Sequence, residues 1–152
     1  MTTAKSTNEK AYQKRAWLIP LVLGVLIGLM SLLIAGFAGV DMSEFEASTG
    51  AIWSAFSDAQ PEVAEYIIRL ERLAGVGFAG FALIGAAIAW TGYRRGEPWA
   101  WYALWLFPII FGLAAVVFFA AEATGLGLYY GGAAVIAMVG LLLPYRRFFP
   151  KQ

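Results

Sequence analysis

Two carboxylates and two phenols are the polar groups of this sequence with the most chemistry open to them, because each stands beside a long apolar run. Glu71 precedes the run that starts at Leu73, Glu122 follows a second run, and a Tyr-Tyr pair opens a third. Ionisable groups beside membrane-length apolar runs cost free energy, and they often mark ion or proton pathways. If they lie at a similar depth in the membrane, four side chains could together bind a cation or exchange a proton: Glu71, Glu122, Tyr129 and Tyr130.

The same residues also fit a purely structural role. Glu122 can cap a loop or form an ion pair with Arg72, and Glu71 can lie shallow enough to stay hydrated. Ion pairs that serve only structure perturb carboxylates as strongly as functional neighbours do. The sequence therefore leaves both interpretations of these polar groups open.

The sequence has no cysteine and no histidine. These are the usual ligands of zinc, copper, haem and iron–sulfur clusters, so we expect no metal and no cofactor. No serine stands in a nucleophile-elbow motif and no carboxylate has an identifiable partner base, so we expect no enzymatic activity. The basic residues form short runs beside apolar segments, so a nucleic-acid partner is not expected.

The composition is that of a membrane protein. Of the 152 residues, 61% are hydrophobic and only 14% are charged, whereas soluble proteins have about 25% charged residues. The mean hydropathy is +0.69. A chain of this length cannot bury so much apolar surface in a water-soluble core, so the lipid bilayer must cover much of it. Because backbone groups in lipid must be paired internally, we expect an all-α integral membrane fold.

Four apolar runs are long enough to cross a bilayer as helices. The central one, residues 73–93, has no charge and would be about 31 Å long. The first run exceeds the about 7–15 residues of a signal-peptide core, so we expect a membrane helix there too. The prediction is one membrane domain, 1–152, that forms a four-transmembrane-helix bundle. The four predicted helices are 17–40, 61–95 with a charged outer extension, 99–121 with a kink at Pro108, and 128–143. The predicted connections are an extracytoplasmic loop or short amphipathic helix at 41–60 and a turn at 122–127, and a cytoplasmic tail follows at 144–152.

The charges are divided between the two ends of this predicted bundle. If the amino terminus is cytoplasmic, that end, the turn at 94–98 and the tail together hold nine of the eleven Lys and Arg residues and two of the ten acids. This is the positive-inside distribution, so we expect both termini to be cytoplasmic. Aromatic residues near the inner boundary are expected to form an interfacial belt. They are Trp90, Tyr93, Trp99, Trp101 and Trp105.

A helical wheel divides the central helix into two faces. Glu71 falls in line with small residues, which let helices approach closely in a bilayer, so this face is expected to pack. The other face is bulky, and its Arg69 and Arg72 are expected to contact lipid headgroups. Glycines with small-residue spacing are the expected packing positions, within the chain or between copies: Gly24, Gly28, Gly75, Gly85, Gly127 and Gly131.

The turn at residues 94–101, RRGEPWAW, resembles turns of small four-span membrane proteins of prokaryotes, and this resemblance implies no activity. We expect a multi-pass protein of a prokaryotic cytoplasmic (inner) membrane. The first hypothesis for its function is a non-enzymatic accessory, structural or scaffold subunit, with other membrane subunits or further copies of this chain as partners. The alternative is a transport or ligand-binding protein with a polar site, including Glu71 and Glu122, at the outer end of the bundle.

Overall fold

The structure is a computed structural model that describes residues 15–40 and 42–149. These residues form helices joined by short turns, and none of them lies in a strand. The helices are α1 (Leu18–Phe37), α2 (Ser43–Thr49), α3 (Trp53–Ala59), α4 (Pro61–Ile88), α5 (Pro98–Leu104), α6 (Leu106–Ala120), α7 (Thr124–Leu142) and α8 (Tyr145–Phe148), and a π-helical turn, Ala89–Tyr93, continues α4. Residues 1–14, which belong to the expected cytoplasmic amino-terminal segment, lie outside the described residues. Asp41 and the last three residues of the expected tail lie outside them too.

Four segments of the described chain are long and apolar enough to cross a membrane. They are Leu18–Phe37, Pro61–Tyr93, Pro98–Ala120 and Thr124–Leu142. The prediction of an all-α fold with four such helices is therefore confirmed. The segment 41–60, expected to be a loop or a short amphipathic helix, contains the two short helices α2 and α3 on either side of Gly50.

Helices α1 and α4 run antiparallel and meet along a seam of small residues. A β-carbon at Gly24 would come within 2.7 Å of the Ala82 carbonyl oxygen, and one at Gly75 within 2.8 Å of the Ser31 carbonyl oxygen. The two backbones approach this closely because neither glycine carries a side chain. Small buried residues repeat at spacings of four and three along both helices: Gly24, Gly28 and Ser31 in α1, and Gly75, Ala79, Ala82 and Ala86 in α4.

The opposite face of α4 is bulky and exposed, as the helical wheel predicted. Its exposed side chains include Leu73, Val76, Leu83, Ile84 and Trp90. Large apolar side chains on the outside are stable where lipid rather than water surrounds the helix. The seam and the exposed face together fix how α4 is rotated about its axis.

Helices α6 and α7 form the second antiparallel pair, joined by a tight turn in which Glu122 has a φ of 62°. The sequence predicted a turn through Gly127 because glycine weakens a helix. Instead α7 begins at Thr124, and Gly127 is buried within it. The Phe119 ring lies 2.7 Å from the position of a β-carbon on Gly127. This glycine therefore allows α6 to pack on α7, and it does not form the turn.

Pro108 interrupts the third apolar segment. Proline has no N–H to donate to the carbonyl four residues earlier, which belongs to Leu104. The interruption lies there, because α5 ends at Leu104 and α6 begins at Leu106. The N–H of Trp105 donates instead to the Tyr102 carbonyl oxygen at 3.2 Å, a tighter turn than that of an α-helix. The α-helical hydrogen bonding is therefore interrupted one turn before the proline, at the position where a kink was expected.

Side-chain hydrogen bonds join the helices at one end of the bundle, called here the Tyr93 end. The Tyr93 hydroxyl donates to the Gly140 carbonyl oxygen at 2.7 Å. In a regular helix that carbonyl would accept from residue 144, which is proline and has no N–H. Trp101 Nε1 donates to the neighbouring Leu141 carbonyl oxygen at 3.0 Å. Both side chains thus pair carbonyl groups at the end of α7 that would otherwise be costly to bury.

These contacts correct the expected aromatic belt. Tyr93 is 1% exposed and Trp101 is buried, so both are core residues, whereas Trp90 and Trp99 are about half exposed. In an α-helix, residues 90 and 93 would be neighbours on one face. The wider π-helical turn Ala89–Tyr93 separates them around the axis, so Trp90 faces outward and Tyr93 faces inward.

The two helix pairs are also in close contact near the Tyr93 end. A β-carbon at Gly85 of α4 would overlap the Phe107 ring of α6, and one at Gly140 of α7 would come within 2.8 Å of Ile19 of α1. At the opposite end, called here the Glu71 end, a cavity lies between the pairs. The bundle is therefore closed at the Tyr93 end and hollow at the Glu71 end.

Candidate functional site

A partly open cavity of about 470 Å³ lies at the Glu71 end. This volume falls within the about 300–1,000 Å³ typical of small-molecule sites. Five helices line it, namely α1, α2, α4, α6 and α7. Its polar lining residues are Ser31, Ser43, Glu71 and Tyr130, and its phenylalanines are Phe37, Phe78 and Phe118.

Of the described residues that line this cavity, Glu71 alone has an ionisable carboxylate. Its Oε2 atom is buried and has no hydrogen-bond partner among the described residues. The side chain as a whole is half-buried, and a buried acceptor atom without a hydrogen-bond partner costs about 1–3 kcal/mol. Glu71 therefore lines the cavity with a carboxylate of which one oxygen has no partner among the described residues.

The seam between α1 and α4 explains why Glu71 faces inward. Glu71 lies one turn before Gly75, and residues four apart share a helix face. The close contact of Gly75 with Ser31 and Ala35 of α1 turns that face toward the interior. Arg72, one position along, is consequently exposed on the outside of the helix.

The arginines expected at the lipid headgroups are both exposed. The Arg69 guanidinium donates to Glu65 Oε1 at 2.7 Å, and both side chains are 72% exposed. Arg72 forms no ion pair with any residue that the structure describes, so the pairing with Glu122 considered from the sequence is absent. Neither arginine thus compensates the Glu71 carboxylate.

Tyr130 and two phenylalanines form an aromatic wall of the cavity. The Phe118 ring stacks on the Tyr130 ring, with centroids 5.2 Å apart and planes 5° from parallel. The Phe78 ring lies 5.9 Å from the same tyrosine. The negative faces of aromatic rings attract cations. Three rings from three helices therefore stand in the same cavity as the Glu71 carboxylate.

The structure brings together two of the four residues proposed for the polar site. Glu71 and Tyr130 line the same cavity. Glu122 is exposed in the turn between α6 and α7, where its carbonyl accepts from the Thr124 N–H at 2.9 Å. Tyr129 is also exposed, and its ring makes a T-shaped contact with the Tyr130 ring. Neither Glu122 nor Tyr129 is among the residues that line the cavity.

Ser31, Ser43 and the phenylalanine wall were not among the residues proposed from the sequence. A serine within an otherwise apolar run was the only sequence signal for Ser31. The helical wheel places Phe78 on the same face of α4 as Glu71, but Phe118 and Phe37 carried no sequence signal. Their role depends on which faces of α4, α6 and α7 meet.

The described residues contain no group of three or more His, Cys, Asp or Glu side chains that could hold a metal ion. Comparison of the chain with protein-family models, with curated proteins and with solved structures finds no match. A function is therefore inferred from the cavity itself.

Proposed function

We propose that this chain is a membrane protein that binds a cationic ligand in the Glu71 cavity. The observation that carries the proposal is the half-buried Glu71 side chain, which lines a cavity of ligand size and has one carboxylate oxygen without a hydrogen-bond partner among the described residues. Inward-facing ionisable groups in membrane bundles commonly belong to ion or substrate sites. A cation in the cavity would supply the charge that the exposed Arg69 and Arg72 do not.

The proposal also includes a location and an orientation. The protein lies in the cytoplasmic membrane of a prokaryote, with both termini in the cytoplasm and the Glu71 end outside. The distribution of charge supports this orientation, because Arg94, Arg95, Arg146 and Arg147 cluster at the Tyr93 end. Under the positive-inside rule that end faces the cytoplasm.

Replacement of Glu71 by glutamine is expected to weaken cation binding by about ten- to a hundredfold. A hydrogen bond or ion pair to a charged group contributes about 1.5–3 kcal/mol, and glutamine keeps the size of the side chain without its charge. The measurement is equilibrium binding of two unrelated probes, tetraphenylphosphonium and sodium, to the purified full chain in uncharged detergent.

Glu122→Gln is the matched control. It removes one carboxylate from the same end of the bundle, but from an exposed position outside the cavity. Its affinity for either probe should stay within about twofold of the wild type. Equal binding by wild type and Glu71→Gln, or no saturable binding by the wild type of any cation tested, organic ammonium ions included, would contradict the proposal.

The exposed glycines favour a second candidate, an accessory or scaffold subunit of a membrane assembly. No neighbouring helix of the described chain lies within 4 Å of the β-carbon positions of Gly77, Gly80 or Gly132. Small residues on a lipid-facing surface allow a helix of another subunit to approach closely. In a mild detergent, the native mass is then expected to exceed that of one 16.5 kDa chain. A monomer without any bound subunit would contradict this candidate.

A further inference from the structure

The chemistry of the cavity and of the groove beside it identifies the class of cation. We propose that the ligand is an organic ammonium ion with an alkyl chain, which enters the Glu71 cavity sideways from the bilayer. This inference rests on the proposed function and narrows it to one class of ligand. It depends on three features: the aromatic wall, the small number of side-chain oxygen atoms among the described residues that line the cavity, and an apolar groove that shares two lining residues with the cavity.

The aromatic wall suits an alkylated ammonium head. Tyr130, Phe118 and Phe78 present aromatic rings to the cavity, and the Glu71 carboxylate supplies the opposite charge. Quaternary and alkylated ammonium ions are bound in this way, by aromatic faces together with an anionic group. Their charge is spread over carbon-bound hydrogens, so they lose less hydration than a metal ion when they leave water.

The described residues that line the cavity supply too few side-chain oxygen atoms for a calcium or magnesium ion. Calcium takes about six to eight oxygen ligands and magnesium requires an octahedral set. Among the described residues, those lining the cavity offer one carboxylate, two serine hydroxyls and one phenol. A single carboxylate beside aromatic rings is sufficient for an ammonium ion, whose charge needs no fixed coordination number.

An apolar groove adjoins the cavity on the outside of the bundle. It has a volume of about 360 Å³ and is lined by Ala74, Gly77, Phe78, Phe81 and Ile110. Ala74 and Phe78 line both the cavity and the groove. An ammonium head beside Glu71 could therefore extend an alkyl chain past these two residues into the groove.

The position of the groove implies entry from the lipid. It lies between α4 and α6, two of the helices long and apolar enough to cross a membrane, and its lining is wholly apolar. An alkyl chain can pack against the Phe78 and Phe81 side chains that line this groove, whereas a small ammonium ion without a chain has nothing to place there. An amphiphile already dissolved in the bilayer would have its chain at the depth of this groove.

Gly77→Leu tests the groove separately from the carboxylate. No other helix of the described chain lies within 4 Å of the Gly77 β-carbon position, so leucine can be accommodated there while it fills the groove. Gly80→Leu is the matched control, because Gly80 is on the same helix with equal space but does not line the groove. Equilibrium dialysis of butyltrimethylammonium and dodecyltrimethylammonium, corrected with protein-free maltoside micelles, measures both affinities.

We expect Gly77→Leu to weaken dodecyltrimethylammonium binding by about tenfold and butyltrimethylammonium binding by less than about twofold. Gly80→Leu should change neither affinity, and Glu71→Gln should weaken both. An equal effect of Gly77→Leu on both ions, or none on either, would overturn the inference. If the wild type binds neither ammonium ion but binds tetraphenylphosphonium or sodium through Glu71, this inference fails and the proposed function stands.

Discussion

Replacement of Gly24 by leucine is expected to destabilise the protein by about 3 kcal/mol or to prevent its folding, at the upper end of the usual cost of overpacking. Even a β-carbon at this position would come within 2.7 Å of the Ala82 carbonyl oxygen and 3.1 Å of the Ala86 backbone nitrogen. These are backbone atoms of α4, so they cannot move aside as the end of a flexible side chain could. The added side chain can be accommodated only if α1 and α4 separate.

Gly36→Leu provides the matched control for this result. Gly36 is also in α1 but is exposed, with no neighbouring helix of the described chain within 4 Å of its β-carbon position. Leucine favours a helix over glycine by about 1 kcal/mol, so this variant should be as stable as the wild type or slightly more so. Unfolding by an anionic detergent, followed by circular dichroism, measures both variants. Equal stability of Gly24→Leu and Gly36→Leu would contradict the small-residue seam.

Cysteines at the two ends of the bundle are expected to react with a membrane-impermeant maleimide from opposite sides of the membrane. The chain contains no cysteine, so each single replacement reports one position. Ser54→Cys in the exposed part of α3 marks the Glu71 end, and Arg146→Cys in α8 marks the Tyr93 end. Because the basic residues cluster at the Tyr93 end, we expect that end to be cytoplasmic.

In intact cells made permeable only at the outer membrane, Ser54→Cys should be labelled nearly completely and Arg146→Cys only after lysis. Labelling of both proteins after lysis is the control for side-chain access. Arg146→Cys removes one of the nine basic residues on the expected cytoplasmic side, so the other eight still direct the orientation. Labelling of Arg146→Cys before lysis would contradict the proposed orientation and would place the Glu71 cavity on the cytoplasmic side.

Glu71 shows how far a candidate site can be predicted from one sequence. The helical wheel correctly placed this carboxylate on the small-residue face of α4, because the faces of a helix follow from its regular geometry. The similar membrane depth expected for the two residues suggested Glu122 as the partner of Glu71, but Glu122 is exposed in a turn with positive φ. Depth alone does not say which side of a neighbouring helix a side chain occupies.

The aromatic residues show a second limit of the sequence. Tyr93 and Trp101 were expected at the interface because such residues are enriched there. In the structure they pair the carbonyls of Gly140 and Leu141. For Tyr93, a π-helical turn allowed this by changing the angle around the helix axis between Trp90 and Tyr93. A π-helical turn contains one residue more than an α-helical turn, and the hydrophobic periodicity of the sequence does not indicate it.

By itself, the sequence determined the helical fold, the four apolar segments and the packing face of α4. Each of these depends on local composition or on the period of a single helix, which neighbouring residues specify directly. Only the tertiary structure decided that Glu71, Tyr130 and Phe118 share one cavity. That arrangement depends on the rotation and register of α4, α6 and α7 relative to one another, which are set by contacts between residues far apart in the chain, such as Gly24 with Ala82.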